Sequence, residues 1–116
     1  MLDHIFLTVS DIDRSIAFYE SVLPVVGITR RLDYDGKAGP AGHPDLKGFG
    51  AQGRIFFWLR QGAAAPGAVH AGFVADSEEM VNAAHAQALV AGATEIHPPR
   101  PHLHHDPRYY ASLLYT

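Results

Sequence analysis

The stretch HIFLTVSDIDRSIAFYESVLPVVGI, residues 4–28, decides the fold. Residues 2–9 contain β-forming side chains that alternate as they do in a strand. One face of this predicted strand carries His4, Phe6 and Thr8, and the other carries Ile5, Leu7 and Val9. Asp11 then stands where an N-cap belongs, and apolar residues recur at helical spacing over residues 12–23 before a proline and a glycine end the pattern. The stretch therefore predicts a strand followed by an amphipathic helix.

The rest of the first half predicts three more strands. Residues 28–34 form the first of them and lead into a loop rich in glycine and proline. Residues 46–51 and 54–60 flank Gln52-Gly53 as a hairpin, and the run IFFWL within the second arm is the strongest strand signal in the chain. The first half thus has the order strand, helix, strand, strand, strand.

The second half repeats this order. GAAAPGA, residues 62–68, has the composition of a linker. Beyond it we predict a strand, a helix and two further strands, over residues 69–75, 78–91, 94–97 and 109–115. A single domain of 116 residues therefore divides into module one (1–61), the linker and module two (69–116). Module two is one strand short, and we expect a final strand to follow Thr116 in the natural protein; completion by a partner subunit is the alternative.

Composition excludes several classes of protein. The chain has no cysteine, so a thiolate metal site, a cysteine nucleophile and a disulfide framework are excluded. The nine Lys and Arg residues are outnumbered by twelve Asp and Glu, so the chain lacks the excess of positive charge that is typical of nucleic-acid-binding proteins. Neither a signal peptide nor an apolar run near the roughly 18 residues of a membrane span is visible, so we expect a cytoplasmic protein.

Two histidines occupy matching places in the two modules. His4 is the third residue of the first predicted strand, and His70 is the second residue of the strand over 69–75. Alternation places each opposite the helix-facing side chains of its strand, so two modules packed as twofold mates would turn both imidazoles into one concavity. A single histidine here would more often be a pocket residue with one hydrogen bond, but a matched pair favours a metal site with positions open to substrate.

At this point the sequence resembles a known family. The pattern H-hydrophobic-x-L-x-V-x-D-x-x-x-S-x-x-F-Y, typical of the vicinal oxygen chelate superfamily (the glyoxalase, bleomycin-resistance and extradiol-dioxygenase group), is matched over residues 4–19. VHAGFVA, residues 69–75, is similar to the fifth strand of that family, and YYASLLYT, residues 109–116, to its seventh. The resemblance implies an α+β fold in which paired βαβββ modules form a U-shaped mixed sheet around a divalent metal ion. It also implies a homodimer.

The resemblance implies a ligand set as well. His4 and His70 match the histidine ligands of the family's first and fifth strands, where Fe, Mn, Zn or Ni would be held. Many relatives add a carboxylate on the fourth strand, but Phe56 stands in that place and no Asp or Glu lies within 54–60. This departure counts against an isomerase like glyoxalase I. It favours the two-histidine, one-glutamate site of the extradiol dioxygenases and fosfomycin-modifying thiol transferases, with the glutamate beyond Thr116.

Other side chains are candidates for substrate binding, each with a plainer alternative. Phe6, Phe56 and Trp58 would line the cavity, or would simply fill the concave side of the sheet. Arg60 could bind an anionic group of the substrate, or could be a solvated surface residue. In the family that the sequence resembles, the stretch before the seventh strand borders the pocket, so one of its histidines, Tyr109 or Tyr110 could act as an acid or a hydrogen-bond donor. His102 and His104 have the spacing of a chelating pair but lie among prolines, which favours a polar loop. His43 and His85 are predicted to be surface residues.

The function predicted from these residues is metal-dependent catalysis on a small, partly apolar substrate with vicinal oxygens, as in a dioxygenase, lyase or transferase. No catalytic acid or base is assigned. The alternative is a metal-free protein of the bleomycin-resistance type that binds a small molecule.

Overall fold

The computed structural model of the chain describes residues 2–65, 67–102 and 110–115. Along them lie β1 (Ile5–Val9), α1 (Ile12–Val22), a 3-10 turn (Leu23–Val26), β2 (Arg30–Tyr34), a second 3-10 turn (Gly36–Ala38), β3 (Leu46–Ala51), β4 (Arg54–Gln61), α2 (Glu78–Val90), β5 (Thr94–Pro101) and β6 (Tyr110–Tyr115). None of the helices in these ranges has the length and apolar character needed to cross a membrane. The predicted α+β class is confirmed.

Helix α1 begins and ends where its flanking residues require. The carboxylate of Asp11 accepts a hydrogen bond of 3.1 Å from the backbone N–H of Arg14, which satisfies one of the free donors of the first turn. After Val22 the chain tightens into a 3-10 turn that starts at Leu23, and it leaves this turn at Gly27, whose φ of 84° is readily adopted only by glycine. The predicted strand–helix opening is therefore confirmed.

The first sheet has the strand order β1-β4-β3-β2. Strand β1 runs parallel to β4, so the first and last strands of the unit are neighbours, while β3 pairs antiparallel with both β4 and β2. Gln52 and Gly53, with φ values of 53° and 78°, form the tight turn between β3 and β4. This confirms the hairpin predicted at Gln52-Gly53.

The core lies between this sheet and α1. Six buried side chains form one cluster: Tyr19, Leu23, Ile28, Phe49, Phe57 and Leu59. The ring of Tyr19, on α1, meets that of Phe57, on β4, edge to face with centroids 4.9 Å apart. Ile5, Leu7 and Val9 pack against the same cluster, as the alternation of β1 predicts. The other face of β1 is therefore turned away from the helix.

The second unit is built around α2. Ser77 caps its first turn, since its hydroxyl accepts a hydrogen bond of 3.1 Å from the backbone N–H of Met80. Strands β5 and β6 pair antiparallel in a separate two-stranded sheet, and β5 continues to Pro101, beyond the predicted 94–97.

The strand predicted over residues 69–75 is wrong, because the structure has no strand there. In the first unit, β1 receives its hydrogen-bond ladder from β4, the fourth strand of that unit. In the described part of the second unit, β5 and β6 pair only with each other, so no strand takes the corresponding place beside 69–75. A β conformation without a ladder partner leaves its backbone groups unpaired, and alternation alone does not stabilise it.

Candidate active site

A cavity of about 290 Å³ lies where β1 and β4 begin. It is bordered by the residues around the start of β1, the first half of β4 and the segment 70–73, and it is open to solvent on one side. Its lining residues are Leu2, Asp3, His4, Ile5, Arg54, Phe56, Phe57, His70, Ala71, Gly72 and Phe73. Both histidines of the predicted pair therefore line one cavity, although neither lies in a strand, since β1 starts only at Ile5.

Asp3 contacts His4, and Arg54 in turn binds Asp3. Oδ2 of Asp3 lies 2.7 Å from Nδ1 of His4. Nη2 of Arg54 donates to Oδ1 of Asp3 and to its backbone carbonyl, each over 3.1 Å. The hydrogen bond from His4 and the positive charge of Arg54 keep the pKa of the Asp3 carboxyl below its usual value. With Nδ1 occupied in this way, Nε2 is the nitrogen of His4 that is left to bind a ligand or a proton.

Sequence reasoning missed Asp3 and Arg54 as site residues. Neighbouring residues of a strand point to opposite faces, so alternation gave no reason to expect a contact between Asp3 and His4. The two side chains meet because both precede β1. Arg54 comes close to Asp3 because β4 runs parallel beside β1 with Ile5 level with Phe57, a register that the sequence alone does not give.

Phe56 reaches the cavity because of an irregularity in the hairpin. Phe49 pairs with Phe57 but the next residue, Gly50, pairs with Ile55, so Phe56 has no partner on β3. A bulge of this kind breaks the alternation of side chains. Phe56 consequently packs against the core cluster together with Phe57 and lines the cavity. The sequence placed Phe56 on the same face as Trp58, and the bulge separates them.

Trp58 and Arg60 lie on the face of β4 that is turned away from α1. The indole of Trp58 covers Gly48, where a Cβ atom would come within 2.7 Å of the ring. Nε of Arg60 donates to the hydroxyl of Thr8 over 2.8 Å. Neither residue is among those that line the cavity. The structure therefore separates these two candidates from the histidine pair.

Two further candidates also have defined places. The half-exposed ring of Phe6 meets the His4 imidazole edge to face, with centroids 5.2 Å apart, so it adjoins the site without lining the cavity. The hydroxyl of Tyr110 donates to Oδ1 of Asn82 on α2 over 2.7 Å, which ties this side chain to the second helix. Of the predicted site residues, the cavity thus brings together His4, His70 and Phe56.

The remaining histidines have other surroundings. The prediction that His85 is a surface residue is wrong: it is 7% exposed, and its Nε2 lies 2.9 Å from Oε1 of Glu95. Nδ1 of His43 lies 2.8 Å from the carbonyl oxygen of Pro44. His102 is hydrogen-bonded to the carbonyl of Ala111 at 3.1 Å. His104 lies outside the described residues, so a chelating pair with His102 stays a prediction.

The donors of the cavity fit a metal ion in part. His4 and His70 offer two imidazoles, and the Asp3–His4 contact is the kind of outer-shell hydrogen bond that orients a metal-binding histidine. Within residues 2–65, 67–102 and 110–115, however, no group of three or more His, Asp or Glu side chains is placed to hold a metal ion. A metal bound here would need a further donor from elsewhere, such as substrate oxygen atoms or water.

Comparisons with known proteins agree with this architecture. The family model of the Glyoxalase/Bleomycin resistance protein/Dioxygenase superfamily matches residues 1–111. A glyoxalase/bleomycin resistance protein/dioxygenase family enzyme from Burkholderia phytofirmans PsJN superposes with a TM-score of 0.64 at 18% identity, covering 97% of this chain and 87% of that one. A hypothetical protein from S. aureus gives a TM-score of 0.64 at 15% identity, with 98% and 86% covered. No curated protein sequence matches the chain. At these identities the two structures show the fold alone.

Proposed function

Because the chain belongs to the glyoxalase/bleomycin resistance protein/dioxygenase superfamily, we propose that it is a metal-dependent enzyme that acts on a small, partly apolar substrate with vicinal oxygen atoms. One observation carries the proposal: His4 and His70, from the two units of the chain, line the same cavity. Neutral imidazole is the commonest protein ligand for the divalent ions in question, which are Fe, Mn, Zn and Ni.

The protein groups around the histidines have definable roles in such a reaction. A divalent ion, when bound, would act as a Lewis acid toward two adjacent substrate oxygens. The aromatic side chains of Phe56, Phe57 and Phe73 provide an apolar wall that would bind the carbon skeleton of the substrate and exclude water from it. Arg54, also at the cavity, has N–H groups on Nε and Nη1 besides those on Nη2 that bind Asp3, and these can donate to a substrate oxygen.

A second candidate function is metal-free binding of a small aromatic molecule. The observation that favours it is the donor set, since no three His, Asp or Glu side chains among the described residues are placed to hold a metal ion together. A cavity with aromatic walls and a few polar groups binds such ligands without any metal.

Elemental analysis of the protein, purified without added metal, separates the two candidates. For the enzyme we expect about one ion per chain, and loss of that ion in both His4→Ala and His70→Ala. His43→Ala is the matched control, because His43 lies in another loop and should leave the metal content unchanged. A content below about one-tenth of an ion per chain, unchanged by reconstitution with Fe, Mn, Zn or Ni, would exclude the metal-dependent enzyme and leave the binding protein.

A further inference from the structure

We infer that Asp3, anchored by Arg54, is a positioning residue that fixes the tautomer of His4 and presents its Nε2 to the cavity. The tautomer itself follows from contacts among protein residues. Only the role of Nε2 of His4, as a nitrogen free to bind metal or substrate, rests on the proposed function. The two statements can therefore fail separately.

The hydrogen-bonding chemistry of the pair specifies the tautomer. A neutral imidazole has one N–H donor and one acceptor nitrogen, and an ionised carboxylate can only accept. Because Oδ2 of Asp3 lies 2.7 Å from Nδ1 of His4, the proton of the neutral ring belongs on Nδ1. Nε2 then carries the lone pair. Without Asp3, both tautomers of the ring would be populated, and for part of the time Nε2 would be protonated and unable to act as a ligand.

Arg54 holds the Asp3 carboxylate in place for its contact with His4. The side chain of Asp3 is 80% exposed, and an exposed ion pair by itself contributes little. Nη2 of Arg54, however, binds both the Oδ1 atom and the backbone carbonyl of Asp3. Arg54 opens β4, so the guanidinium fixes the backbone before β1, and with it the carboxylate, to the edge of the sheet. The carboxylate is held at both oxygens, one by Arg54 and one by His4.

Other histidines of the chain provide internal references for a test. Nδ1 of His43 faces the carbonyl oxygen of Pro44, so His43 also carries its proton on Nδ1. His85 is the opposite case, because Nε2 faces the carboxylate of Glu95 and must carry the proton there. Neither residue lines the cavity that contains His4. A spectrum of the neutral histidines thus contains both tautomers as standards.

The experiment is long-range proton–nitrogen correlation NMR on labelled protein stripped of metal, at a pH well above the usual imidazole pKa of about 6.5. In the unaltered protein, His4 should show the pattern of His43, with the proton on Nδ1. In Asp3→Ala, His4 should change to a mixture of tautomers, and Arg54→Gln should give a smaller change in the same direction. Asp76→Ala, which removes an exposed aspartate before α2, is the control and should leave His4 unchanged.

The outcomes are decisive in either direction. Unchanged His43 and His85 signals in each variant show that the fold is intact. If His4 carries its proton on Nε2 in the unaltered protein, or if Asp3→Ala leaves the tautomer unchanged, the inference is overturned. If only Arg54→Gln has no effect, the anchoring role of Arg54 is overturned. Where metal is bound, Asp3→Ala should also weaken its affinity by about 10- to 100-fold, the usual effect of losing an outer-shell partner.

Discussion

The rings of Phe57 and Phe73 meet edge to face, with 5.2 Å between their centroids. Phe57 belongs to the core of the first unit and is 1% exposed, whereas Phe73 follows the linker and lies in a segment without strand structure. The contact therefore joins the segment that carries His70 to the strand that pairs with β1. It does so through side-chain packing rather than through a backbone ladder.

We expect Phe73→Ala to lower the free energy of unfolding by about 1–2 kcal/mol, less than for a fully buried phenylalanine because the ring is partly exposed. Urea denaturation measures this change. Val74→Ala is the matched control: its side chain is 85% exposed, and its loss should alter stability by no more than about 0.5 kcal/mol. Equal effects of the two substitutions would show that the Phe57–Phe73 contact contributes nothing to stability.

The bulge in the hairpin gives a second prediction. A Cβ atom on Gly50 would lie 1.8 Å from the backbone oxygen of Arg54, so alanine cannot be accommodated without moving β4. We expect Gly50→Ala to destabilise the protein by about 1–3 kcal/mol, as overpacking of a rigid site commonly does, with a lower melting temperature as the readout.

Gly72→Ala is the control for this substitution. A Cβ on Gly72 would meet no heavy atom within 4 Å, and the residue is not among the glycines with positive φ. Its melting temperature should stay close to that of the unaltered protein. A Gly50→Ala variant with the same melting temperature as Gly72→Ala would contradict the bulge geometry.

The buried pair of His85 and Glu95 gives a third prediction. Nε2 of His85 depends on the half-exposed carboxylate of Glu95, and its Nδ1 has no hydrogen-bond partner in the described part of the chain. We expect Glu95→Ala to cost about 1 kcal/mol of unfolding free energy, because it leaves a second ring nitrogen buried and unpaired. In a His85→Leu background the same substitution should cost much less. A double-mutant cycle measures the difference, and additive effects would argue against the pair.

The fourth prediction concerns the stability of the protein at low pH. Partial burial of Asp33 raises its pKa, but the hydrogen bond from Lys47 and the charge and hydrogen bond of Arg31 outweigh burial and keep the pKa of the carboxyl below its ordinary value. A carboxyl with a lowered folded-state pKa stabilises the protein above its unfolded pKa of about 3.9 and loses that contribution as pH falls through the folded value.

Asp33→Asn should therefore lower stability slightly at neutral pH, by no more than about 0.5 kcal/mol for so exposed a group. The difference from the unaltered protein should shrink as pH falls through the folded-state pKa of Asp33, because the protonated carboxyl, like the asparagine amide, carries no charge. Denaturant titrations across this range measure it. A difference that persists or grows in acid would contradict the pairing with Arg31 and Lys47.

Elements set by local chemistry were predictable from the sequence. Asp11 and Ser77 cap the two helices, and Gln52-Gly53 turns the hairpin, because each acts on a backbone only a few residues away. The sequence also led us to expect His4 and His70 in one cavity, and both line it, although the strand that was predicted to carry His70 is absent.

What the sequence could not show depends on contacts between distant residues. Residues 69–75 have the composition of a strand, but a strand also needs a neighbour, and composition does not reveal whether one is in place. The bulge beside Phe56 depends on how β3 registers against β4. The burial of His85 escaped notice because α2 is rich in alanine, so small side chains define its buried face only weakly.

The bulge beside Phe56 also suggests how the residues that line this cavity change from one homologue to another. Side chains along β4 reach the cavity or the opposite face according to a backbone irregularity of one residue. Deletion or gain of a single residue in this hairpin would exchange the side chains presented on both faces at once, with no other substitution needed. Among homologues, we therefore expect changes in hairpin length, more than point substitutions, to accompany changes in ligand preference.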